Sequence, residues 1–171
     1  MGNDIYFPGA NDNASGTSML LTLAEYFKAN PAKVNIMFIA FAGEEAGLIG
    51  SNHYVRNPYF NLKDINFVLN LDIMGSGEEG ITVVNAILFK KAFKRLKKIN
   101  KKEKLLKQIK SRGPAANSDH YFFTEAGVPA FFIYTMGPNK HYHDVFDTEE
   151  ELSFAEYEDI TTLLRLFLRK L

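Results

Sequence analysis

Asp12, the adjacent pair Glu44 and Glu45, Asp72 and His143 are the side chains whose types and positions offer chemistry. Two neighbouring carboxylates repel unless a cation or a proton separates them. One of the pair binding a metal while the other handles a proton resolves that conflict, although a Glu-Glu pair taken alone is more often a solvated acidic turn. Carboxylate oxygen and imidazole nitrogen without thiolate form the donor set of a catalytic zinc, or of manganese or cobalt, rather than of a structural zinc. The chain has no cysteine, so thiolate sites and disulfides are excluded. A bridging carboxylate with one or two further ligands on each side would hold a metal pair.

The elements that must position these groups follow from hydrophobic periodicity. An amphipathic helix is expected over residues 15–29, with Met19, Leu20, Leu23, Ala24 and Phe27 on one face, stopped by Asn30-Pro31. The apolar, β-branched run 34–41 reads as a buried strand, left through a sharp turn marked by Gly43 and Gly47. A helix over 46–56, a strand over 65–71 closing on Asp72, and a short strand over 81–84 come next. A helix over 88–100 and a possible strand over 105–109 follow. Residues 118–126 read as a short helix with Ser118 as its N-cap and Gly127 as its stop. The last elements are a strand over 129–134, a polar loop over 136–147 and a closing helix over 154–168. Alternation of this kind predicts a three-layer α/β/α sandwich with a mixed, largely parallel central sheet. In such a sheet, residues just beyond the strands converge on one edge, where ligands bind.

A chain of 171 residues with 46% apolar and 23% charged residues suits one globular domain over residues 1–171. Its formal net charge of zero points to neither nucleic acid nor an anionic membrane as partner. The Lys/Arg-rich stretch 90–110 reads as the solvated face of a helix and its exit loop. No run reaches transmembrane length, and Met1-Gly2-Asn3-Asp4 does not read as a signal peptide. Tyr6-Phe7-Pro8-Gly9-Ala10 passes straight into motif-like sequence, so the domain is expected to be incomplete at its N-terminus.

The chain resembles the metal-dependent exopeptidase family of the co-catalytic zinc aminopeptidases, which also holds glutamate carboxypeptidases and glutaminyl cyclases. The resemblance rests on Gly9-Ala10-Asn11-Asp12-Asn13-Ala14-Ser15-Gly16 and on Phe41-Ala42-Gly43-Glu44-Glu45-Ala46-Gly47-Leu48-Ile49-Gly50-Ser51. Asn70-Leu71-Asp72-Ile73-Met74-Gly75, Ser118-Asp119-His120 and Tyr142-His143-Asp144 add to it, in family order along essentially the whole chain. The two long stretches are specific; the short ones carry weight only through their order.

The resemblance implies that Asp12 bridges two metals, that Glu45 and His143 complete one site, and that Asp72 binds the other. It makes Glu44 the general base that takes a proton from a metal-bound water and passes it to the leaving amine. The implied cofactor is zinc, one or two divalent ions, with two in the complete protein, and the implied substrate is a peptide cut at its N-terminal residue. One departure matters. The family takes a further His for the Asp72 site from a His-x-Asp motif upstream, and Met1-Gly2-Asn3 fits where the family continues just after it. This chain is therefore expected to hold at most one metal tightly, to be impaired in activity, and to self-associate through surface left uncovered.

The remaining candidates have plainer readings. His120 reads as structural or substrate-proximal, and Asp119 and Asp144 as orienting or capping groups. His53 reads as a surface residue on its helix, and His141 as solvent-exposed. The 15 Phe and 8 Tyr are mostly core. Two alternatives stay open: a glutaminyl cyclase-like single-zinc transferase using Asp12, Glu45 and His143, and a non-catalytic peptidase-like binding domain. Against the first, the chain lacks the tryptophans expected around a cyclase pocket. Family members are often exported, so export is an expectation for the complete protein.

Overall fold

The strand over residues 130–136, Ala-Phe-Phe-Ile-Tyr-Thr-Met, is apolar on both faces because helices cover both. In the computed structural model, which describes residues 6–171, it is one of two inner strands of a four-stranded mixed sheet. The strands are β1 (Val68–Leu71), β2 (Gly80–Val84), β3 (Ile109–Ser111) and β4 (Ala130–Met136), in the order β1-β4-β2-β3. β1 runs parallel to β4 in the register Val68 to Ala130 through Leu71 to Ile133. β2 is antiparallel to β4 and parallel to β3. Pairing of β1 and β4 starts where the Val68 N–H meets the Pro129 carbonyl, since Pro129 has no N–H to donate.

The helices are α1 (Gly16–Ala29), α2 (Ile49–Arg56), α3 (Lys90–Glu103), α4 (His120–Glu125) and α5 (Tyr157–Leu168). Met19, Leu23 and Phe27 recur every four residues on α1, and Ile160, Leu163, Leu164 and Phe167 line α5. With Leu96 and Ile99 of α3 they bury Leu71, Ile81, Val83, Phe131 and Ile133 from the sheet. Burying one such side chain stabilises the fold by roughly 1.5–3 kcal/mol. The opposite face is covered by α2 and α4, where Tyr54 and Phe123 pack with Val128 and Ala130. These are the three expected layers. The lysines of α3 lie on its exposed side.

The main departure is the run 34–41. Residues 35–41 belong to no helix or strand, yet their side chains alternate as a strand's do: Ile36 and Phe38 pack toward α1 and α5, Ile39 and Phe41 toward α2 and α4. They nevertheless make no backbone hydrogen bond among the described residues, and Val34 and Met37 are 36% and 45% exposed. Side-chain pattern specifies a pleat; a ladder also needs a neighbour at hydrogen-bonding distance. A slot of about 950 Å³ lies between this segment and β1.

Smaller shifts have local causes. α2 begins at Ile49 rather than near residue 46, because Gly43, Gly47 and Leu48 take left-handed φ values of 70°, 104° and 58°. Ser118 is not a helix cap; α4 starts at His120 with no side-chain cap. The Ser118 hydroxyl instead donates to Asp72 Oδ2 at 2.9 Å and accepts from Asn70 Nδ2 at 2.6 Å. The Met1-Gly2-Asn3 tripeptide lies outside the described residues.

Candidate metal centre

Asp12 sits in the loop before α1, and its two asparagine neighbours fix that loop. Asn11 Oδ1 accepts from the Gly75 N–H at 2.9 Å. Asn13 Nδ2 donates to the Leu71 carbonyl at 3.0 Å, and Asn13 Oδ1 accepts from the Gly16 N–H at 3.0 Å. The loop is thereby pinned to the end of β1. Gly9, at φ 70°, precedes it because a Cβ there would lie 2.8 Å from the Asp12 carbonyl oxygen.

A second clamp comes from the far end of the chain. The buried Asp147 carboxylate accepts from the Asn11 N–H at 2.8 Å through Oδ1 and from the Asp12 N–H at 3.0 Å through Oδ2. Its backbone carbonyl accepts from Ala10 N–H at 3.0 Å. Asp147 follows His143 by one turn of loop, so one carboxylate ties both donor-bearing loops together. Its place in the acidic run 147–151 gave no hint of this, since such runs usually face water. Asn11 and Asn13 were legible only as turn formers.

His143 Nε2 lies 3.2 Å from Asp12 Oδ2 and 3.1 Å from Glu45 Oε1. The Tyr142 ring stacks on the imidazole at 3.8 Å between centroids and 21° between planes. One donor atom from each of Asp12, Glu45 and His143 lies within 4.8 Å of the others. Tetrahedral ligands around zinc at about 2.0–2.1 Å stand about 3.3 Å apart. The donor set, and the two distances made by His143, therefore suit a divalent cation.

Electrostatics point the same way. Burial, then the charges of Asp72 and Glu45, push Asp12 up to about 7 from an ordinary 3.8. Burial and the carboxylates of Asp72, Glu45 and Asp119 likewise push Glu44 up to about 7. Burial also raises Asp72, against the hydrogen bond from Ser118 that favours its charged form. Crowded acids of this kind share a field that a cation would relieve.

The other candidates separate. Asp72 lies beside Asp12 but outside the three-residue cluster, with Oδ1 buried and unpartnered among the described residues. Asp119, raised by burial, also keeps one buried oxygen without a partner among the described residues. His120 is 1% exposed, packs against Phe132, and has no partner at either ring nitrogen among the described residues. Burial pushes it down to about 4, so it stays neutral. His53 is exposed on α2, and His141 Nε2 lies 3.7 Å from Glu151 Oε2.

A mixed sheet between helix layers, with three carboxylates and an imidazole gathered at one edge, defines an α/β domain with a candidate metal site. The chain belongs to peptidase family M28, whose description matches residues 2–168. It is 35% identical over 158 residues to aminopeptidase YwaD of Bacillus subtilis, covering 86% of this chain and 34% of that protein. The structure of a zinc aminopeptidase from Bacillus subtilis superposes with a TM-score of 0.83 at 29% identity, over 96% of this chain and 42% of that one. A glutaminyl cyclase from Bacteroides thetaiotaomicron shares the fold, with a TM-score of 0.77 at 18% identity over 96% of this chain and 64% of that one. The chain thus spans about a third of the length of the curated relative and under half of the solved aminopeptidase.

Proposed function

We propose that this chain carries the catalytic edge of a zinc-dependent aminopeptidase. Asp12, Glu45 and His143 would hold one divalent cation, and Asp72 with Asp12 would hold a second in the complete protein. Such a cation supplies a Lewis acid for the scissile carbonyl and makes a coordinated water more acidic. Glu44 acts beside it: a carboxylate with a pKa of about 7 is part-ionised at neutral pH, so it can take a proton from water and return it to the leaving amine. That poised carboxylate next to a cation-sized donor set is the observation that carries the reading. Asp12, Glu44, Glu45, Asp72 and Asp119 all line the same cavity. Their negative field favours a peptide presenting an N-terminal ammonium over one presenting a carboxylate.

The test uses the longest product of the gene. Glu44→Gln should hold metal almost normally and lose about 10²–10⁴-fold in turnover, whereas Glu45→Gln should weaken metal binding itself. Near-normal hydrolysis by Glu44→Gln refutes the role. Aminoacyl-amide chromogens run beside glutaminyl peptides separate the aminopeptidase from a single-zinc cyclase, and inertness toward both would leave a binding domain. For the 171-residue chain alone, the proposal is one tightly held cation and little turnover, because Asp72 has no imidazole beside it among the described residues. Self-association through the half-exposed run 34–41 is proposed as well, with light scattering as its measure.

A further inference from the structure

A second pocket, of about 340 Å³, adjoins the acidic edge. Asn11 and Ile73 both line it, each one residue from an acid of that edge, Asp12 and Asp72, and Lys140 lies three residues before His143. Consecutive Cα atoms are about 3.8 Å apart, so the pocket begins within a side chain's reach of those acids. The sheet builds its floor. Thr82 of β2 is paired with Lys110 of β3 on one side and with Tyr134 of β4 on the other, so the three side chains form a row on one face. On that face α4 packs over β1 and β4, with His120 against Phe132, and the pocket continues past Tyr134 onto β2 and β3. Its polar groups are mainly donors. Buried Asn11 already uses Oδ1 to accept from Gly75 and Ser15, which leaves its NH₂ as the group to offer. Arg112 Nη1 donates to Tyr134 Oη at 3.3 Å, so the phenol keeps its own proton to give. Lys140 Nζ donates to the Gly137 carbonyl at 3.1 Å, which holds its ammonium at the rim with two protons to spare. Lys110 adds a second ammonium, while Glu79, the only carboxylate lining the pocket among the described residues, is exposed.

We propose that this pocket receives the side-chain carboxylate of an acidic first residue, glutamate or aspartate, while the peptide's ammonium lies at the acidic edge. The assignment rests on the aminopeptidase reading of that edge. A carboxylate accepts several charge-assisted hydrogen bonds at once, which Lys110, Lys140, Tyr134 and Asn11 supply. A basic side chain would meet two ammonium groups instead, and an apolar one would bury the Thr82 hydroxyl and the Asn11 amide against hydrocarbon. The volume stands at the small end of ligand pockets, about 300–1,000 Å³, and suits a single side chain. Charge over the whole chain favours the same orientation. Residues 90–112 hold twelve of its 20 Lys and Arg and only one of its 20 Asp and Glu, and Lys110 and Arg112 bring that stretch to the pocket. The net charge of zero thus divides into a cationic flank and an acidic remainder. Such a field draws a carboxylate toward the pocket and an ammonium toward the acids.

The longest product of the gene, loaded with zinc, is tested on glutamyl, glutaminyl, leucyl and lysyl amide chromogens. The kcat/KM for glutamyl should exceed that for glutaminyl, its neutral isostere, by about tenfold or more. Lys110→Met and Lys140→Met should each shrink that ratio several-fold, mostly through KM, whereas Lys110→Arg should keep it. Calorimetric titration with free glutamate and free glutamine, the corresponding products, reads the pocket without turnover. Turnover that prefers leucyl or lysyl overturns the pocket's assignment and leaves the aminopeptidase reading standing, as does a glutamyl preference that survives both substitutions to Met. Inertness toward every chromogen, with glutamate still held about tenfold more tightly than glutamine and released by Lys110→Met, keeps the pocket and sinks the aminopeptidase reading. Inertness without such binding overturns both.

Discussion

Cation affinity at this edge should be steeply linked to protons through Asp12. Its carboxyl is held up to about 7, so at pH 5.5 the metal-free protein keeps it protonated and a cation must displace that proton. With one linked proton, affinity falls by about tenfold per pH unit well below the pKa, worth about 1.4 kcal/mol each. Between pH 7.5 and pH 5.5 the loss from Asp12 alone works out at about 25-fold, or about 2 kcal/mol. Calorimetric titration with zinc in two buffers of different ionisation enthalpy measures both affinity and protons released. Asp12→Asn removes that titration while His143 stays in place, so the variant should bind more weakly but release about one proton fewer at pH 5.5. Equal proton release by the two proteins would refute the assignment of the linkage to Asp12.

Three further outcomes follow from the same geometry. Metal-free protein should lose stability as pH rises from about 4 to about 7, because Asp12 keeps its proton in the fold while the unfolded chain ionises near 3.8; thermal unfolding in chelator should show this, and zinc should reverse it. Asp147→Asn turns an amide NH₂ toward one of the two N–H groups of Asn11 and Asp12; urea unfolding should show a loss of about 1–3 kcal/mol, with weaker zinc binding. Ser118→Ala strips Asp72 of its hydroxyl donor and should cost a similar 1–3 kcal/mol in urea, together with a further upward shift of the Asp72 carboxyl seen by NMR titration.

The layer order, the helix faces and the turn carrying Glu44 and Glu45 were legible in the sequence because each depends on local pattern: apolar residues every four positions, or glycines where φ is positive. The meeting of Asp12, Glu45 and His143 was foreshadowed by loops expected at one edge of the sheet, although only His143 follows a described strand, β4. What stayed hidden depends on partners. The run 34–41 has a strand's alternation, but its pairing is decided by what lies beside it. Ser118 precedes a helix as a cap would, yet a buried carboxylate nearby makes a stronger claim on its hydroxyl. Asp147 became visible only once the fold brought its carboxylate 2.8 Å from Asn11 N–H, across 136 positions of chain.

That separation would make a cation bound at the Asp12, Glu45 and His143 cluster a reporter of the folded state. The Asp147 clamp spans 135 residues to Asp12, so an unfolded chain cannot hold these donors together, and binding selects the native ensemble. A cation at 100 times its dissociation constant would deepen the native basin by about 2.7 kcal/mol. Its arrival would also mark the moment in refolding when the loops carrying Asp12 and His143 meet, which makes zinc uptake, followed in real time, a clock for one long-range closure of the chain.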